Sequence, residues 1–557
     1  MPDENPAPAA GSTTARPAAP RGGAALVAAG ILLSRLSGLV RQRVFGHFLG
    51  TDAAADAYTA ALRIPNFLQN LLGEGVLSAS FIPVYATLRK QGTPEAERDA
   101  RKVAGAVAGL VGITVGLLAL VGVLATPLLI ELIAPGFKGE TRALAIQLVQ
   151  IFFPGVALLV LSAFCLGVLN SHRRFFLSYA APVLWNAAII GSLILGGVRW
   201  KLPPAQIAVA AAWGMVAGSA LQVLVQVPSV VKLLGGPRAT LGALGLGRGD
   251  PHVKTVVGSF LPVLVGRGIV QLSAYVDTVI ASWLPVGALS SMTFAQIVYT
   301  LPVSLFGMSI SAAALPAMSE SHGQAEAARN TALRDQLHRG LRQIAFLVIP
   351  SAVAFVALGD VIAAALYQTG RFSQSNSKYV WAILAGSALG LLAQTQGRLY
   401  SSTFYALRDT KTPLRYAIVR VALTAGLGVI AALWLPGLLG IEAKWGAVGL
   451  TATAGLAGQV EFYLLRRGVQ KHLGPIEQEG WLQLKLWIAA ALGALAGWGV
   501  RIGIDYTSGG EGFLTHPWPR AALVLGSFGV VYLLLALAFG APQAKDALRR
   551  VLRVVKR

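Results

Sequence analysis

Apolar stretches about as long as a membrane-crossing helix recur from residue 24 to residue 540, with short polar segments between them. A helix needs roughly 20 mostly apolar residues to cross the hydrocarbon core of a bilayer. The pattern therefore predicts about fourteen membrane-spanning helices and an all-α polytopic membrane protein. The expected spans are 24–49, 54–86, 103–134, 142–169, 176–198, 205–233, 254–284, 288–318, 340–367, 378–406, 413–438, 445–465, 481–504 and 518–540.

The number of Lys and Arg residues alternates between high and low from one loop to the next. They are concentrated after each even-numbered span and in the C-terminal tail, whereas the other loops hold few or none. Because cytoplasmic loops are enriched in Lys and Arg, we expect both termini in the cytoplasm and an even number of spans. Residues 1–23, rich in Pro, Ala, Ser and Thr, are expected to form a disordered cytoplasmic tail. Residues 541–557 form a basic amphipathic segment, expected on the anionic inner leaflet.

A weak internal repeat divides the spans. Residues 77–83 (LSASFIP) end the second span, and residues 310–316 (ISAAALP) end the eighth. The two copies begin six spans apart and so share an orientation, which predicts two six-helix bundles with a site between them. We expect an N-terminal bundle over 24–235, a C-terminal bundle over 236–475, and two further spans over 476–540. The last two spans form either a groove for a lipid tail or a pair of peripheral helices.

Composition excludes several functions. Of the 557 residues, 55% are hydrophobic and only 13% are charged, and the net charge of +22 comes mainly from the loops, so we expect no nucleic-acid partner. A single cysteine, Cys165, excludes an internal disulfide. No nucleotide-binding loop or zinc-protease pattern is present. We therefore expect a transporter without a catalytic site or a required cofactor.

Charged residues in the first two spans are the strongest candidate chemistry. A charge at bilayer depth costs a few kcal/mol or more, so such residues should face a protein interior or a water-filled cavity. In the first span, Arg35 and Gln42 lie seven residues apart, as do Ser34 and Arg41, so each pair shares a helix face. Guanidinium groups suit phosphate, which they bind bidentately. The alternative is that these arginines form structural ion pairs with the acidic residues of the second span.

The second span has the composition of a bendable helix. Asp56, Arg63 and Gln69 are polar positions within it, and Pro65 precedes Asn66. Glycines on either side of Glu74 further weaken a continuous helix. A broken helix beside a binding site is typical of a transporter gate, and Glu74 would pair with an arginine in one state only. A kink without a gating role is the alternative.

These residues resemble those of a known family, the MurJ (MviN) lipid II flippases, which belong to a superfamily with multidrug and polysaccharide exporters. The resemblance covers residues 24 to 540 and is carried by Ser34-Arg35, Gly38, Arg41, 55–57 (ADA), 63–66 (RIPN), Glu74-Gly75 and 404–413 (FYALRDTKTP). It implies movement of undecaprenyl-linked peptidoglycan precursor from the inner to the outer leaflet of the cytoplasmic membrane. Lipid II and membrane lipids would be its partners, and we expect a monomer. From the resemblance and the residues together, we expect Asp56, Pro65, Asn66 and Glu74 to act in gating. The residues expected to bind substrate are Ser34, Arg35, Arg41, Gln42, Arg63, Gln69, Arg267 and Arg398.

The chain departs from the family pattern in the eighth span. Ile297 stands where the family has a cavity arginine, and we expect Arg267 of the seventh span to supply the missing cation. Some family members also bind sodium in the second bundle. Asp277 and Thr453 match two of the ligands, but the eleventh span has no Asp or Asn to complete an oxygen shell. The alternative is that Asp277 pairs with Arg267.

Two other functions stay open at this stage. An exporter of a different polyprenyl-linked glycan or of drugs would share the architecture, although a drug exporter should have a more apolar chamber. An integral membrane polyprenyl-phosphate glycosyltransferase would release sugar in detergent, which a flippase would not.

The proposed compensation by Arg267 is directly testable. We expect Arg267→Ala to abolish lipid II translocation, because the variant would leave the chamber one cation short at the position of Ile297. A leaflet-specific assay for lipid II in cells that depend on the variant measures this. Normal translocation by the variant would refute the compensation.

Overall fold

The structure is a computed structural model that describes residues 21–172, 174–243, 249–308, 310–311, 326–476, 480–508 and 512–555. These residues form α-helices joined by short loops. The helices are α1 (Arg21–Leu49), α2 (Ala53–Leu72), α3 (Glu74–Lys90), α4 (Pro94–Ile133), α5 (Gly139–Ser171), α6 (Phe175–Ile194), α7 (Pro204–Leu233), α8 (Pro237–Ala243), α9 (Pro251–Ser282), α10 (Ala288–Pro302), α11 (Glu326–Ala357), α12 (Gly359–Tyr367), α13 (Gln374–Ala388), α14 (Leu391–Ala406), α15 (Lys411–Val429), α16 (Leu435–Leu438), α17 (Gly446–Leu473), α18 (Gly480–Ser508), α19 (Pro517–Ala538) and α20 (Pro542–Val555).

The expected all-helical membrane fold is confirmed. Helices occupy most of the described part of each expected span, but residues 309 and 312–318 of the eighth lie outside the described residues, and the number of fourteen stays a prediction. Within the described ranges, nine helices are long and apolar enough to cross a membrane. The first two expected spans are not among these nine. Their helices carry the buried polar and charged residues that form the interior site.

The helices pack in two groups with α9 between them. In the first group α1 lies along α6, α2 lies along α5, and α5 and α6 both pack on α7. In the second group α13, α14 and α15 pack around α17, and α10 packs on α13. Helix α9 contacts α3, α2 and α4 of the first group as well as α15 of the second. Helices α18 and α19 pack on each other, with α18 also against α11.

Small residues permit the closest of these contacts. Gly214 and Gly218 on α7 form a G-x-x-x-G pattern against α6. A Cβ atom would lie 2.1 Å from Ser192 Oγ at the first position and 2.8 Å from the Trp185 carbonyl oxygen at the second. In lipid, the hydrophobic effect contributes little to the association of helices. Close backbone packing of this kind therefore contributes much of the free energy of helix association.

The second expected span is interrupted. Helix α2 runs through Pro65 without a break and ends at Gly73, from which α3 starts. A Cβ atom on Gly73 would lie 2.4 Å from the Gln69 carbonyl oxygen, so the turn between the two helices requires glycine. The repeat found in the sequence cannot be compared at its second copy, because residues 312–316 lie outside the described residues.

The loop between α14 and α15 contains part of the 404–413 segment. Arg408 has a positive φ of 61°, and the Asp409 backbone N–H donates to the Phe404 carbonyl oxygen at 2.9 Å. The Asp409 carboxylate accepts hydrogen bonds from the backbone N–H groups of Lys411 and Thr412, each at 3.0 Å. The carboxylate therefore satisfies N–H groups at the start of α15 that have no partner inside the helix.

We expect Asp409→Ala to lower the free energy of unfolding by about 1 kcal/mol, because two N–H groups lose their acceptor. The bonds from Thr412 also hold the pKa of Asp409 below its ordinary value. Its stabilising effect should therefore be complete above the unfolded-state pKa and disappear as the pH falls through the lower folded-state pKa. Thermal unfolding in detergent at several pH values measures both effects. Asp99→Ala, at an exposed ion pair with Lys102, is the control and should change stability much less.

Candidate functional site

A polar chamber lies between the two groups of helices and has two lobes. The first lobe has a volume of about 200 Å³. Its walls come from α1, α2, α6 and α10, and they include Arg41, Gln42, Tyr58, Thr59, Arg63, Asn66, Thr293, Gln296 and Ile297. Within the described part of the chain, two guanidinium groups and no carboxylate line this lobe. The lobe is therefore suited to a compact anion.

Arg41 is held in place by an aromatic ring. Its guanidinium carbon lies 4.8 Å from the centroid of the Trp185 ring on α6. Such a cation–π contact replaces part of the hydration that a buried guanidinium loses. It uses the face of the group and leaves its N–H donors available for an anion in the lobe.

The second lobe is larger, at about 410 Å³, and is formed mainly by the second group of helices. Its polar wall residues are Arg63, Asp277, Gln296, Tyr299, Ser387, Gln394, Arg398, Arg420, Thr424 and Thr451. Arg63 and Gln296 belong to both lobes, so the two lobes adjoin at these side chains. The chamber can therefore hold a ligand that extends from one group of helices to the other.

One end of the chamber is sealed by Asp56. Its side chain is only 4% exposed, and it accepts hydrogen bonds from the backbone N–H groups of Gly287 (2.7 Å) and Ser290 (2.8 Å). These groups belong to the first turn of α10 in the other group of helices. The carboxylate thus caps a helix N-terminus across the interface, where the helix dipole also favours a negative charge.

Loop backbones close the same end. Gly50 and Gly370 approach the backbones of Arg371 and His47 so closely that a Cβ atom would lie 2.9 Å and 2.4 Å from their carbonyl oxygens. The Arg371 backbone N–H donates to the His47 carbonyl oxygen at 2.9 Å, and the Arg371 side chain contacts Asp52 at 3.1 Å. We call this set of contacts, together with Asp56 and the α10 N-terminus, the loop seal.

An aromatic cluster lies beneath the loop seal. The ring centroid of Phe294 on α10 lies 6.3 Å from that of Phe45, 4.8 Å from that of Tyr367 and 4.9 Å from that of Phe372. All four side chains are buried. The cluster joins α1, α10 and the loop after α12, so water cannot pass between the helices there.

A side-chain hydrogen bond links the two groups nearer the opposite end. Arg35 Nη1 on α1 donates to Ser304 Oγ at 2.6 Å. Ser304 lies in the π-helical turn Val303–Met308 that follows α10. Apolar side chains of α3 and α9, including Phe81, Tyr85 and Val253, form a cluster at this end.

Of the eight residues expected to bind substrate, four line the chamber. Arg41, Gln42, Arg63 and Arg398 line its lobes, and Arg35 makes the contact with Ser304. Ser34 neighbours Arg35 on α1 but lines neither lobe, and Gln69 on α2 lines neither lobe. The side chain of Arg267 lies outside the described residues, so its expected role stays a prediction.

The expected gating residues divide between the two ends of α2. Asp56 belongs to the loop seal, and Asn66 lines the first lobe. Pro65 is a buried position inside α2, and the break falls at Gly73 instead. The side chain of Glu74 lies outside the described residues, although its backbone begins α3.

Sequence reasoning missed Arg420 and Glu461. Arg420 lies on α15 and forms an ion pair with Glu461 on α17, with Nε and Oε2 2.9 Å apart. Both are charged residues inside expected spans, so the rule that singled out Arg35 and Arg41 applies equally to them. Arg43 shows the limit of that rule: it donates to the carbonyl oxygens of Ala365 and Leu366 and lines neither lobe.

The surroundings of Asp277 do not suit a sodium ion. Arg63 and Arg420 line the second lobe together with Asp277, so two guanidinium groups share a wall with this carboxylate. The Thr453 hydroxyl donates to the Leu450 carbonyl oxygen at 2.9 Å. A hard cation needs several oxygen ligands and is repelled by neighbouring positive charge. The sodium site stays a prediction that this charge arrangement disfavours.

An apolar groove of about 660 Å³ borders the chamber. Its lining includes Phe67 of α2, Leu118 of α4, Val276 of α9 and Val429 of α15. Val276 also lines the second lobe, so the groove and the polar chamber meet at this residue. On α18 and α19, the residues expected to form a lipid-tail groove include exposed Leu495 and Val530; that groove stays a prediction.

Comparison with known proteins identifies relatives over nearly the whole chain. A family model described as "Lipid II flippase MurJ" matches residues 45–511. A lipid II flippase MurJ of Burkholderia cenocepacia is 30% identical over 91% of this chain and 94% of its own length. A probable lipid II flippase MurJ of Bdellovibrio bacteriovorus is 31% identical over 80% and 81%, respectively.

Solved structures show the same fold. A lipid II flippase MurJ in an inward closed conformation aligns with a TM-score of 0.71 at 22% identity, covering 92% of this chain and 98% of that one. An inward-facing multidrug resistance transporter of the MATE family aligns with a TM-score of 0.62 at 18% identity, covering 81% and 98%.

We expect Asp56→Asn to loosen the loop seal, because the amide nitrogen cannot accept a hydrogen bond and one N–H of the α10 N-terminus is left without a partner. The loss should be about 1–3 kcal/mol for this buried charge-assisted pair. Hydrogen exchange of the peptide containing Gly287 and Ser290 should become faster, and thermal stability in detergent should fall.

Asp52→Asn is the matched control at the same end. Asp52 pairs with a largely exposed Arg371, and its oxygen also accepts the Ala55 N–H at 3.3 Å, a bond that asparagine keeps. Its effect should be smaller than that of Asp56→Asn. Equal exchange rates in the Asp56 variant and the unmodified protein would contradict the proposed seal.

Proposed function

The chain belongs to the MurJ family of lipid II flippases, and from this premise we propose that it moves lipid II across the cytoplasmic membrane by alternating access. The observation that carries the proposal is the guanidinium-lined chamber between two groups of helices, sealed at one end by Asp56. A chamber with one sealed end is half of an alternating-access cycle, in which the second state opens that end and closes the other.

The first lobe binds the pyrophosphate of lipid II. Arg41 and Arg63 supply two guanidinium groups, and the wall lacks a carboxylate among the described residues that line it. Guanidinium groups bind phosphate oxygens bidentately, and the interaction is strong where water is excluded. Gln42, Asn66 and Gln296 offer neutral hydrogen-bonding groups beside them.

The loop seal is the outer gate. The distribution of Lys and Arg favours an α1–α2 loop outside the cell, which supports this orientation. The head group enters from the cytoplasmic side, where Arg35 and Ser304 must part and the apolar contacts between α3 and α9 must separate. Gly73, at the junction of α2 and α3, provides the flexible point that rearrangement of α2 requires.

The polyprenyl tail remains in apolar surroundings while the head group crosses. The groove that meets the chamber at Val276 is one such surface, and the outer faces of α18 and α19 are the other. The groove is favoured because a tail there stays close to a head group in the chamber. Membrane potential resets the empty carrier, since moving one charge through 100 mV contributes about 2.3 kcal/mol.

We propose that the protein transports its substrate without covalent chemistry. It acts as a single chain in the bacterial cytoplasmic membrane and has no nucleic-acid partner. Both lobes of the chamber are built from one chain, which supports a monomer. Guanidinium and amide groups in both lobes favour an anionic head group over a hydrophobic drug. Incubation of the purified protein with lipid II in detergent tests the enzyme alternative, which requires release of sugar.

We expect Arg41→Gln to weaken binding of lipid II by about 10- to 100-fold, because a charge-assisted hydrogen bond to phosphate contributes about 1.5–3 kcal/mol. Translocation into the outer leaflet of proteoliposomes should fall in parallel. Native mass spectrometry or equilibrium binding in nanodiscs gives the dissociation constant.

Arg43→Gln is the matched control on the same helix. It removes an equal charge, but Arg43 contacts backbone carbonyl groups of α12 outside the chamber. This variant should lose thermal stability and keep the affinity for lipid II. The proposal fails if both variants bind lipid II as tightly as the unmodified protein.

A further inference from the structure

Positively charged side chains outnumber carboxylates in the second lobe. Arg420 is paired with Glu461 at 2.9 Å. Arg63, Arg398 and Arg420 line the lobe together with one carboxylate, that of Asp277. Arg398 is a guanidinium group of the lobe that has no such partner. Its side chain is exposed to the lobe, and no carboxylate of the described ranges lies within ion-pair distance of it.

The neutral groups of the lobe are oriented as donors. The Tyr299 hydroxyl donates to Gln394 Oε1 at 2.9 Å, which leaves the amide N–H groups of Gln394 as its remaining polar atoms. Gln394 and Arg398 lie four residues apart on α14, so both side chains are on one helix face. Gln296 of α10 also lines the lobe; one amide N–H donates to the Thr300 hydroxyl at 3.2 Å, and the amide carries a second N–H.

We propose that the second lobe is a separate subsite that binds a carboxylate of the peptide part of the transported head group, with Arg398 as its charged contact. This inference rests on the proposed function and adds to it the division of the head group between the two lobes. One uncompensated positive charge matches a carboxylate, whereas a pyrophosphate carries more negative charge and matches the two guanidinium groups of the first lobe.

The geometry of the chamber permits simultaneous occupation. The lobes adjoin at Arg63 and Gln296, so a ligand with a pyrophosphate at one end and carboxylates further along can reach both. The peptide is the bulkier part, and the second lobe is the larger, at about 410 Å³ against about 200 Å³. The carboxylate of Glu461 is already engaged by Arg420 at 2.9 Å.

The experiment compares two ligands with five forms of the full chain in nanodiscs. The ligands are lipid II and lipid II whose peptide carboxylates have been converted to methylamides. For the unmodified protein, we expect the amidated ligand to bind about tenfold more weakly, because the charge-assisted bond to Arg398 is lost. This comparison changes only the ligand, so it holds even where a variant fails to fold.

The variants then show which arginine is responsible for the weaker binding of the amidated ligand. Arg398→Gln should weaken binding of lipid II about tenfold and leave binding of the amidated ligand unchanged, whereas Arg41→Gln should weaken both ligands equally. Arg398→Lys should recover part of the affinity for lipid II. Arg415→Gln, at an exposed position outside the chamber, is the control and should change neither.

The inference is overturned if the unmodified protein binds both ligands equally, or if Arg398→Gln weakens both to the same extent. Either result leaves the proposed function intact, provided that lipid II binds and crosses. Absence of lipid II binding to the unmodified protein would instead remove the proposed function itself.

Discussion

The main physical constraint on this structure is the cost of placing guanidinium groups at bilayer depth, where an unpaired charge costs several kcal/mol. The chain uses three arrangements. Arg41 lies over the Trp185 ring, Arg420 pairs with Glu461, and Arg398 is exposed to a polar chamber. The first two arrangements reduce the cost within the protein itself. The third leaves a positive charge to be balanced by solvent or by an anionic ligand, which is the physical basis for a site between the two groups of helices.

Helix α2 connects this site to the loop seal. Asp56 at its start caps the N-terminus of α10, Arg63 two turns later lines both lobes, and Gly73 marks its end. Because the residues between Asp56 and Gly73 form one continuous helix, a movement that separates Asp56 from α10 also displaces Arg63. A ligand that changes the position of Arg63 would therefore act on the seal through a rigid element, without a chain of intermediate side chains.

Much of the fold and part of the site could be predicted because they follow from local patterns. Apolar runs of sufficient length must become helices in a membrane, and charges within them must avoid lipid. The same rule could not separate Arg41 from Arg43, which lie two residues apart and face different neighbours. It also gave no partner for Asp56, since the groups it binds are backbone N–H groups more than 200 residues away, which have no side-chain signature.

By itself, the amino-acid sequence determined the helical membrane fold, the interruption near the end of the second span, and the presence of buried cations, because each depends on composition over a few turns of helix. Only the tertiary structure decided which cations share a chamber, which are already neutralised, and which end is closed. These outcomes depend on distances between helices far apart in the sequence, and a difference of a few ångströms determines whether a guanidinium group meets a carboxylate, an aromatic ring or open space.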